Sequence, residues 1–174
     1  MRHTMKMTLA ALASLALIPT AMAAHTVKAP HPGTVIAATY TSNGSFHGAV
    51  DVSSGHCTYW GVETGVVGSV HWNVTINNTT IVCMGGAVPV PNEAKHTWAD
   101  GWVFRIFHLI KTDKSVDKTC DRCQVGDEGT STSHSSPITH FQQDKSGTKD
   151  SSWYIGYAIR GDAVNRTDTL GVLD

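Results

Sequence analysis

Two side chains that can bind a metal ion stand four residues apart in the stretch 45–55. The stretch is rich in small and β-branched residues, which favours an extended strand. Side chains at even spacing on a strand share one face, so His47 and Asp51 would point into the same space. A catalytic zinc ion usually takes three protein ligands and leaves a fourth position to water. The pair therefore fits two zinc ligands, and it equally fits a surface histidine near a turn aspartate.

Two other histidines lie where a third ligand or a catalytic group is needed. His108 stands near the end of residues 102–110, the most apolar segment of the chain, and His140 follows a Ser/Thr/Gly loop at 127–136. His108 fits a site residue or a cap on an exposed strand edge, and His140 fits a ligand or a buried structural histidine. Of the other histidines after residue 23, His25 and His31 lie in the N-terminal tail of the mature part. The rest fit surface or loop positions: His56, His71, His96 and His134.

Taken in order, these motifs resemble those of the M23 zinc peptidases, the lysostaphin and LytM type of peptidoglycan endopeptidase. The family's H-x-x-x-D motif corresponds to HGAVD at 47–51, its lone central histidine to FHL at 107–109, and its late H-x-H-F motif to ITHF at 138–141. The CQVG segment at 123–126 is similar to the family's G-Q-x-I-G turn. The resemblance covers residues 32–142, and it rests on the order and spacing of short motifs.

The resemblance implies a ligand set, a catalytic residue and a substrate. His47, Asp51 and His140 would hold one Zn²⁺ per chain, and His108 would lie beside the open coordination position. There it would orient the attacking water or stabilise the oxyanion while a peptide bond of peptidoglycan, or of another peptide substrate, is cut. Two neutral imidazoles and one carboxylate leave the ion with a net charge of +1, so it remains a strong Lewis acid.

One position departs from the family pattern. The first histidine of H-x-H, a base or proton shuttle in the family, is Ile138 here, and loss of a general acid–base residue typically costs about 10²–10⁴ in rate. Three interpretations follow: His134 substitutes for the missing histidine, the protein is a slow or altered peptidase, or it is a non-catalytic zinc-binding module for ligand binding or signalling. A metal-free, disulfide-linked β domain is a further alternative.

Residues 1–23 have the pattern of a secretory signal peptide. Arg2 and Lys6 precede an apolar run at 9–18, and Ala-Met-Ala ends the segment. This predicts a secreted or periplasmic protein, and no later apolar run is long enough for a membrane span. Lys and Arg total 13 against 14 Asp and Glu, so there is no excess of basic residues for nucleic-acid binding. We expect a monomer.

Export also makes disulfides the expected state of the cysteines. The chain has four, which permit three pairings. We favour Cys57–Cys83 together with Cys120–Cys123, because each pair lies within one local segment.

The elements that must position the site are predicted to be strands. No apolar helical periodicity extends over three turns, whereas many short β-branched segments are separated by turn signals. The fold class is therefore all-β: a mostly antiparallel sheet, sandwich-like or a partly open barrel, with the zinc site in a groove. Residues 24–32 are expected to form an extended lead-in and 33–174 a single domain. The predicted strands are 33–40, 47–52, 65–70, 71–76, 80–84, 102–110, 123–126, 138–142 and 152–160.

Overall fold

The computed structural model describes residues 24–55, 61–75, 92–110, 118–129 and 137–173. The expected signal peptide, His56, His134, Cys57, Cys83 and the strand predicted at 80–84 lie outside the described residues.

The described residues form strands and one 3₁₀ turn at Ser152–Tyr154. Every paired strand is antiparallel, which confirms the predicted all-β, antiparallel class. The strands are β1 His25–Lys28, β2 Gly33–Ala37, β3 Val50–Ser53, β4 Gly61–Glu63, β5 Val70–Thr75, β6 Asn92–Thr97, β7 Val103–Ile110, β8 Lys118–Cys120, β9 Gln124–Glu128, β10 Thr139–Lys145, β11 Thr148–Asp150, β12 Ala163–Val164 and β13 Thr169–Leu173.

One large sheet carries most of these strands, in the order β12-β2-β3-β10-β7-β6-β5-β8. Strand β11 pairs with β10, and β9 pairs with β4 and β7. The two ends of the sheet, β12 and β8, do not pair with each other among the described residues, so the sheet is open and not a closed barrel. The centre of the sheet is therefore β3, β10 and β7, the three strands that carry most of the motifs.

One face of this sheet packs on the core. Residues Val50, Phe141, Ile106 and Ala94 lie opposite one another across β3, β10, β7 and β6, and all four are buried. The rings of Phe104 and Phe141 stack with centroids 5.7 Å apart. Since side chains alternate along a strand, the residues between these core positions lie on the opposite face.

The central strand β7 matches only part of its sequence prediction. The nearly continuous apolar run at 102–110 predicts a strand that is buried on both faces or that lies at the sheet centre. The strand is central, between β10 and β6, but its second face carries the half-buried, charged side chain of Arg105. An apolar run with one charged residue thus marks a central strand with one polar face.

The two ends of the described chain differ from the sequence predictions. The lead-in at 24–32 is extended as expected, but it contains β1, which pairs with the unpredicted β13 in a separate two-stranded sheet. The strand predicted at 152–160 is wrong, because this segment turns at Gly156, which has φ of 86°. Two of its aromatic residues, Trp153 and Tyr154, nevertheless pack into the core, whereas Tyr157 is exposed.

The prediction of a strand at 65–70 is also wrong. After β4 ends at Glu63, the next strand, β5, begins only at Val70. Among the described residues, no helix is long and apolar enough to cross a membrane.

Candidate metal centre

The register of the central strands brings Asp51 and His140 together. Asp51 lies directly opposite His140 across β3 and β10, and His140 lies opposite Phe107 on β7. Directly paired residues of an antiparallel sheet have Cβ atoms about 4.5–5.5 Å apart and share a face. The carboxylate and the imidazole, 89 residues apart in sequence, therefore meet on the face opposite the core.

His47 reaches the same place from outside the strand. The sequence predicted that it lies on an extended strand with Asp51, but β3 begins at Val50. His47 instead lies in the preceding loop. Its amide donates to the Thr39 carbonyl at 2.9 Å, and the carbonyl of His47 accepts a hydrogen bond from Lys149 Nζ at 2.8 Å. Gly48 follows with φ of 65°, a left-handed conformation that glycine adopts without strain.

The three side chains converge on one point. Nδ1 of His140 lies 2.8 Å and Nε2 of His47 lies 3.0 Å from Oδ1 of Asp51, and one ligand atom from each residue lies within 4.8 Å of the others. Donors of a tetrahedral zinc site are about 3.3 Å apart, given metal–ligand distances near 2.0–2.1 Å. This buried His-Asp-His group could hold a metal ion.

The ring of His47 faces the carboxylate of Asp51. Its Nε2 is buried and lies 3.0 Å from Oδ1 of Asp51. A ring nitrogen and a carboxylate oxygen are both atoms that bind zinc. Nε2 and the Asp51 oxygen are thus placed as two ligands of one ion would be.

The electrostatics of Asp51 favour the charged form that a metal requires. Burial raises the pKa of this carboxyl, but the hydrogen bond from His140 and the adjacent imidazole of His47 outweigh it, so the pKa lies below its usual range. Asp51 therefore stays a carboxylate across the physiological range, as a metal ligand must.

His108 stands beside this group because β7 bulges. Residues 92 and 93 of β6 pair with Leu109 and Phe107, so His108 is an extra residue between them, and its φ is 66°. Bulges re-aim side chains and are frequent beside active sites. The His108 and His140 ring centroids are 5.6 Å apart at an angle of 83°, which places the imidazole next to the candidate metal ligands.

Ile138 occupies the position where the family pattern has a histidine. It is fully buried, and its amide donates to the Gly129 carbonyl at 2.8 Å. As it precedes His140 by two residues in an extended segment, it lies on the side of the metal group and not with Phe141 in the core. An aliphatic side chain here can neither accept nor donate a proton.

The sequence analysis missed a polar network on the same face of β10. His140, Gln142 and Asp144 alternate along the strand, and Arg105 lies opposite Gln142 on β7. The four side chains are joined by hydrogen bonds. The spacing of two residues from His140 was the available signal, and it is informative only once residue 140 is placed on a strand.

A second missed group lies in the interior. His31, assigned from sequence to an N-terminal tail, is fully buried, as is Glu128. Burial lowers the pKa of His31 to about 4 and raises the pKa of Glu128 to about 7. Nε2 of His31 lies 3.6 Å from Glu128 and 2.9 Å from the Thr139 hydroxyl, so this pair supports β10 from behind and is separate from the metal group.

The other sequence-predicted residues have clear positions. Cys120 and Cys123 form a disulfide, as predicted, which is compatible with an oxidising compartment; the Cys57–Cys83 pairing falls on residues that are not described. His71 and His96 lie on β5 and β6, away from the metal group. Beside His47, the rings of Tyr40 and Phe46 are exposed and meet edge to face with centroids 6.2 Å apart.

Comparison with known proteins adds no relative: no family model matches the chain, and no curated protein matches it. The structure shows an antiparallel β protein with a buried His-Asp-His group on the face of its main sheet that is opposite the core.

Proposed function

We propose that this protein is an exported zinc metalloendopeptidase of the M23-like type that cleaves peptide cross-links of peptidoglycan. The observation that carries the proposal is the convergence of Nε2 of His47, Oδ1 of Asp51 and Nδ1 of His140 on one point of the sheet. Two imidazoles and a carboxylate are the protein ligands of many hydrolytic zinc enzymes, in which water takes the fourth position.

The bound ion would act as a Lewis acid, which polarises a carbonyl group and lowers the pKa of a bound water molecule to near neutral. The chain supplies the geometry. Asp51 and His140 are fixed by the β3–β10 register, and His47 is fixed by the hydrogen bonds of its loop. The chain itself therefore sets the three ligand positions, two through the strand register and one through the loop.

In this proposal His108 acts on the substrate and not on the ion, and its position relative to His140 supports this role. Its ring lies against His140, outside the convergent donor group. An imidazole at this distance can hold a proton or donate a hydrogen bond to the oxygen of a peptide carbonyl under attack. The exposed pair of Tyr40 and Phe46 next to His47 offers an apolar surface for the part of the peptide that flanks the scissile bond.

A second candidate function is favoured by Ile138. A buried isoleucine replaces the proton-transferring residue, while the three candidate ligands are complete. A non-catalytic zinc-binding module for peptide capture or signalling would have this combination.

Metal analysis of the purified mature protein tests both candidates. We expect one zinc per chain by inductively coupled plasma mass spectrometry. The zinc should be lost in His47→Ala and His140→Ala. It should be kept in His71→Ala, which changes an exposed histidine on β5. Iron is measured alongside zinc, because two histidines and a carboxylate also suit iron(II). A wild-type protein that binds no divalent metal would exclude both candidates.

Hydrolysis then separates the two candidates. The zinc-loaded protein is incubated with dye-labelled peptidoglycan, with and without a chelator, and released fragments are identified by mass. Chelator-sensitive release of fragments cut in their peptides supports the peptidase. Retention of zinc with no release, together with sedimentation of the protein with peptidoglycan, supports the binding module.

A further inference from the structure

The polar network on β10, on the face opposite the core, ends at the candidate metal ligand His140. Nε2 of His140 lies 3.2 Å from Oε1 of Gln142, and Nε2 of Gln142 donates to Oδ2 of Asp144 at 2.6 Å. Nε of Arg105 donates to the same Asp144 oxygen at 3.1 Å, and its Nη1 donates to Glu93. The chain of contacts therefore runs from a fixed cation, Arg105, to the ring nitrogen of His140 that faces away from Asp51.

The placement of these groups makes the network rigid. Positions 140, 142 and 144 share one face of β10, and Gln142 lies directly opposite Arg105. Asp144 is 5 % exposed and His140 is 7 % exposed, while Gln142 and Arg105 are half-buried. Side chains held between neighbouring strands and partly shielded from water have fewer alternative partners, so each hydrogen bond helps to fix the next.

The direction of each hydrogen bond follows from what each group can donate. Arg105 only donates, so the Asp144 carboxylate accepts from it. Asp144 also accepts from Gln142, which fixes the amide, since a flipped amide would set its carbonyl oxygen 2.6 Å from the carboxylate oxygen. The amide oxygen of Gln142 consequently faces His140 and can only accept, so Nε2 of His140 must carry the hydrogen.

The remaining nitrogen of His140 is the one that faces the candidate metal. With hydrogen on Nε2, a neutral imidazole has its lone pair on Nδ1, and this atom lies 2.8 Å from a carboxylate oxygen of Asp51. A lone pair at that distance from a carboxylate is repulsive, so either a hydrogen on Nδ1, which then donates to Asp51, or a metal cation that replaces this hydrogen lies between the two atoms. The network therefore prepares His140 to bind a cation shared with Asp51.

We propose that Gln142 is a positioning residue which, oriented by Asp144 and Arg105, fixes the Nε2–H tautomer of His140 and turns Nδ1 towards the metal. The inference rests on the proposed metal site and assigns a role to three residues outside the ligand set. Hydrogen-bond partners of metal-binding histidines typically contribute 10–100-fold to metal affinity.

The first test measures zinc affinity by chelator competition. Gln142→Met is expected to raise the Kd for Zn²⁺ by about 10–100-fold. Gln124→Met removes an exposed glutamine of β9 and is the matched control, expected to leave the Kd unchanged. A double variant, Gln142→Glu with Asp144→Asn, conserves the charge and restores an acceptor for His140 together with a donor at position 144, so it is expected to recover wild-type affinity.

The second test reads the hydrogen bond itself. In zinc-loaded protein labelled with ¹⁵N, the Nε2–H of His140 should give a slowly exchanging imidazole signal, lost in Gln142→Met and restored in the double variant. Equal Kd values for wild type and Gln142→Met overturn the inference while leaving the metal site intact. A wild type that binds no zinc overturns both, and this is known before any variant is compared.

Discussion

His108 is the residue whose role depends most on the backbone. Its left-handed φ of 66° is uncommon for residues other than glycine, although asparagine, aspartate and histidine adopt it more often than the rest. It results from the extra residue in β7 opposite β6. A regular strand would direct residue 108 to the face opposite Phe107, away from His140. The bulge therefore brings the side chain of His108 next to the candidate metal ligand His140.

The prediction for His108 uses a substitution that keeps this backbone. His108→Asn retains a residue type that tolerates positive φ and removes the imidazole. We expect the rate of peptidoglycan hydrolysis to fall by about 10²–10⁴ with one zinc per chain retained. Rates from dye release and zinc content are compared with those of His71→Asn. Loss of zinc in His108→Asn would instead make residue 108 part of the metal site, and an unchanged rate would remove it from catalysis.

Gly48 has a matched control in the same loop. Gly48 and Gly44 have φ of 65° and 82°, so alanine at either costs about 1–2 kcal/mol. A Cβ at Gly48 would lie 2.8 Å from the Phe46 ring and 3.1 Å from Lys149, whereas one at Gly44 meets nothing within 4 Å. Because relief of the strain at Gly48 shifts His47, we expect Gly48→Ala to weaken zinc binding about 5–30-fold and Gly44→Ala to leave it unchanged. Calorimetric titration with zinc decides, and equal Kd values would contradict this role of the loop.

At the scale of elements, the register of β3 against β10 determines the site. Shifting this pairing by one residue would move Asp51 away from His140 and expose the core row that contains Val50 and Phe141. The same burial that forms the core therefore fixes the two candidate ligands opposite each other. The position of Ile138 belongs to this scale, since it lies at the entry to β10 and is bridged to Gly129.

Replacing Ile138 tests whether the site lacks only a proton-transferring group. Ile138→His is expected to increase peptide hydrolysis if the peptidase proposal is right, because an imidazole would stand two residues before His140. The side chain is fully buried, so we also expect a loss of about 1–3 kcal/mol in the free energy of unfolding. Ile138→Asn, which introduces a polar group without useful acid–base chemistry, is the control. No gain in rate from a folded, zinc-loaded Ile138→His protein would favour the binding module.

How far the sequence predicted the site depends on the range of each interaction. The all-β class and the Cys120–Cys123 disulfide follow from local composition and spacing, and both are confirmed. Motif order was enough to select His47, Asp51 and His140, which the structure brings together. The bulge at His108, the partners of Gln142 and the pairing of β1 with β13 depend on register between distant strands, which no local pattern contains. The strand predicted at 152–160 failed because buried aromatic residues also occur in turns.

At the scale of the whole molecule, a buried pair of titratable groups joins segments that are distant in sequence. His31 comes from the lead-in before β2 and contacts Thr139 on β10. Glu128 ends β9 and accepts a hydrogen bond from the Ser54 amide at 3.0 Å. The lead-in, β9 and the end of β3 are thus connected through the side chains of His31 and Glu128, both of which are fully buried.

The pair predicts a pH dependence of stability that can be assigned to one residue. Burial raises the pKa of Glu128 from 4.5 to about 7, so the folded state holds its proton more tightly than the unfolded state does. The stability that Glu128 contributes is complete below pH 4.5 and is lost as the pH rises through 7. His31 acts in the opposite direction, because its pKa falls from 6.5 to about 4 and its contribution is lost as the pH falls through that range.

Glu128→Gln separates the two effects, because His31 is present in both proteins. Glutamine keeps the hydrogen-bonding capacity next to Ser54 and cannot ionise. We expect the free energy of unfolding of Glu128→Gln, relative to wild type, to increase by about 1–3 kcal/mol between pH 5 and pH 8, measured by urea denaturation of the metal-free protein at both values. Asp121→Asn, which removes an exposed carboxylate, controls for the change in net charge. A relative stability that stays constant between the two pH values would mean that Glu128 is ionised in the folded protein, and that the interior behind β10 tolerates a buried charge.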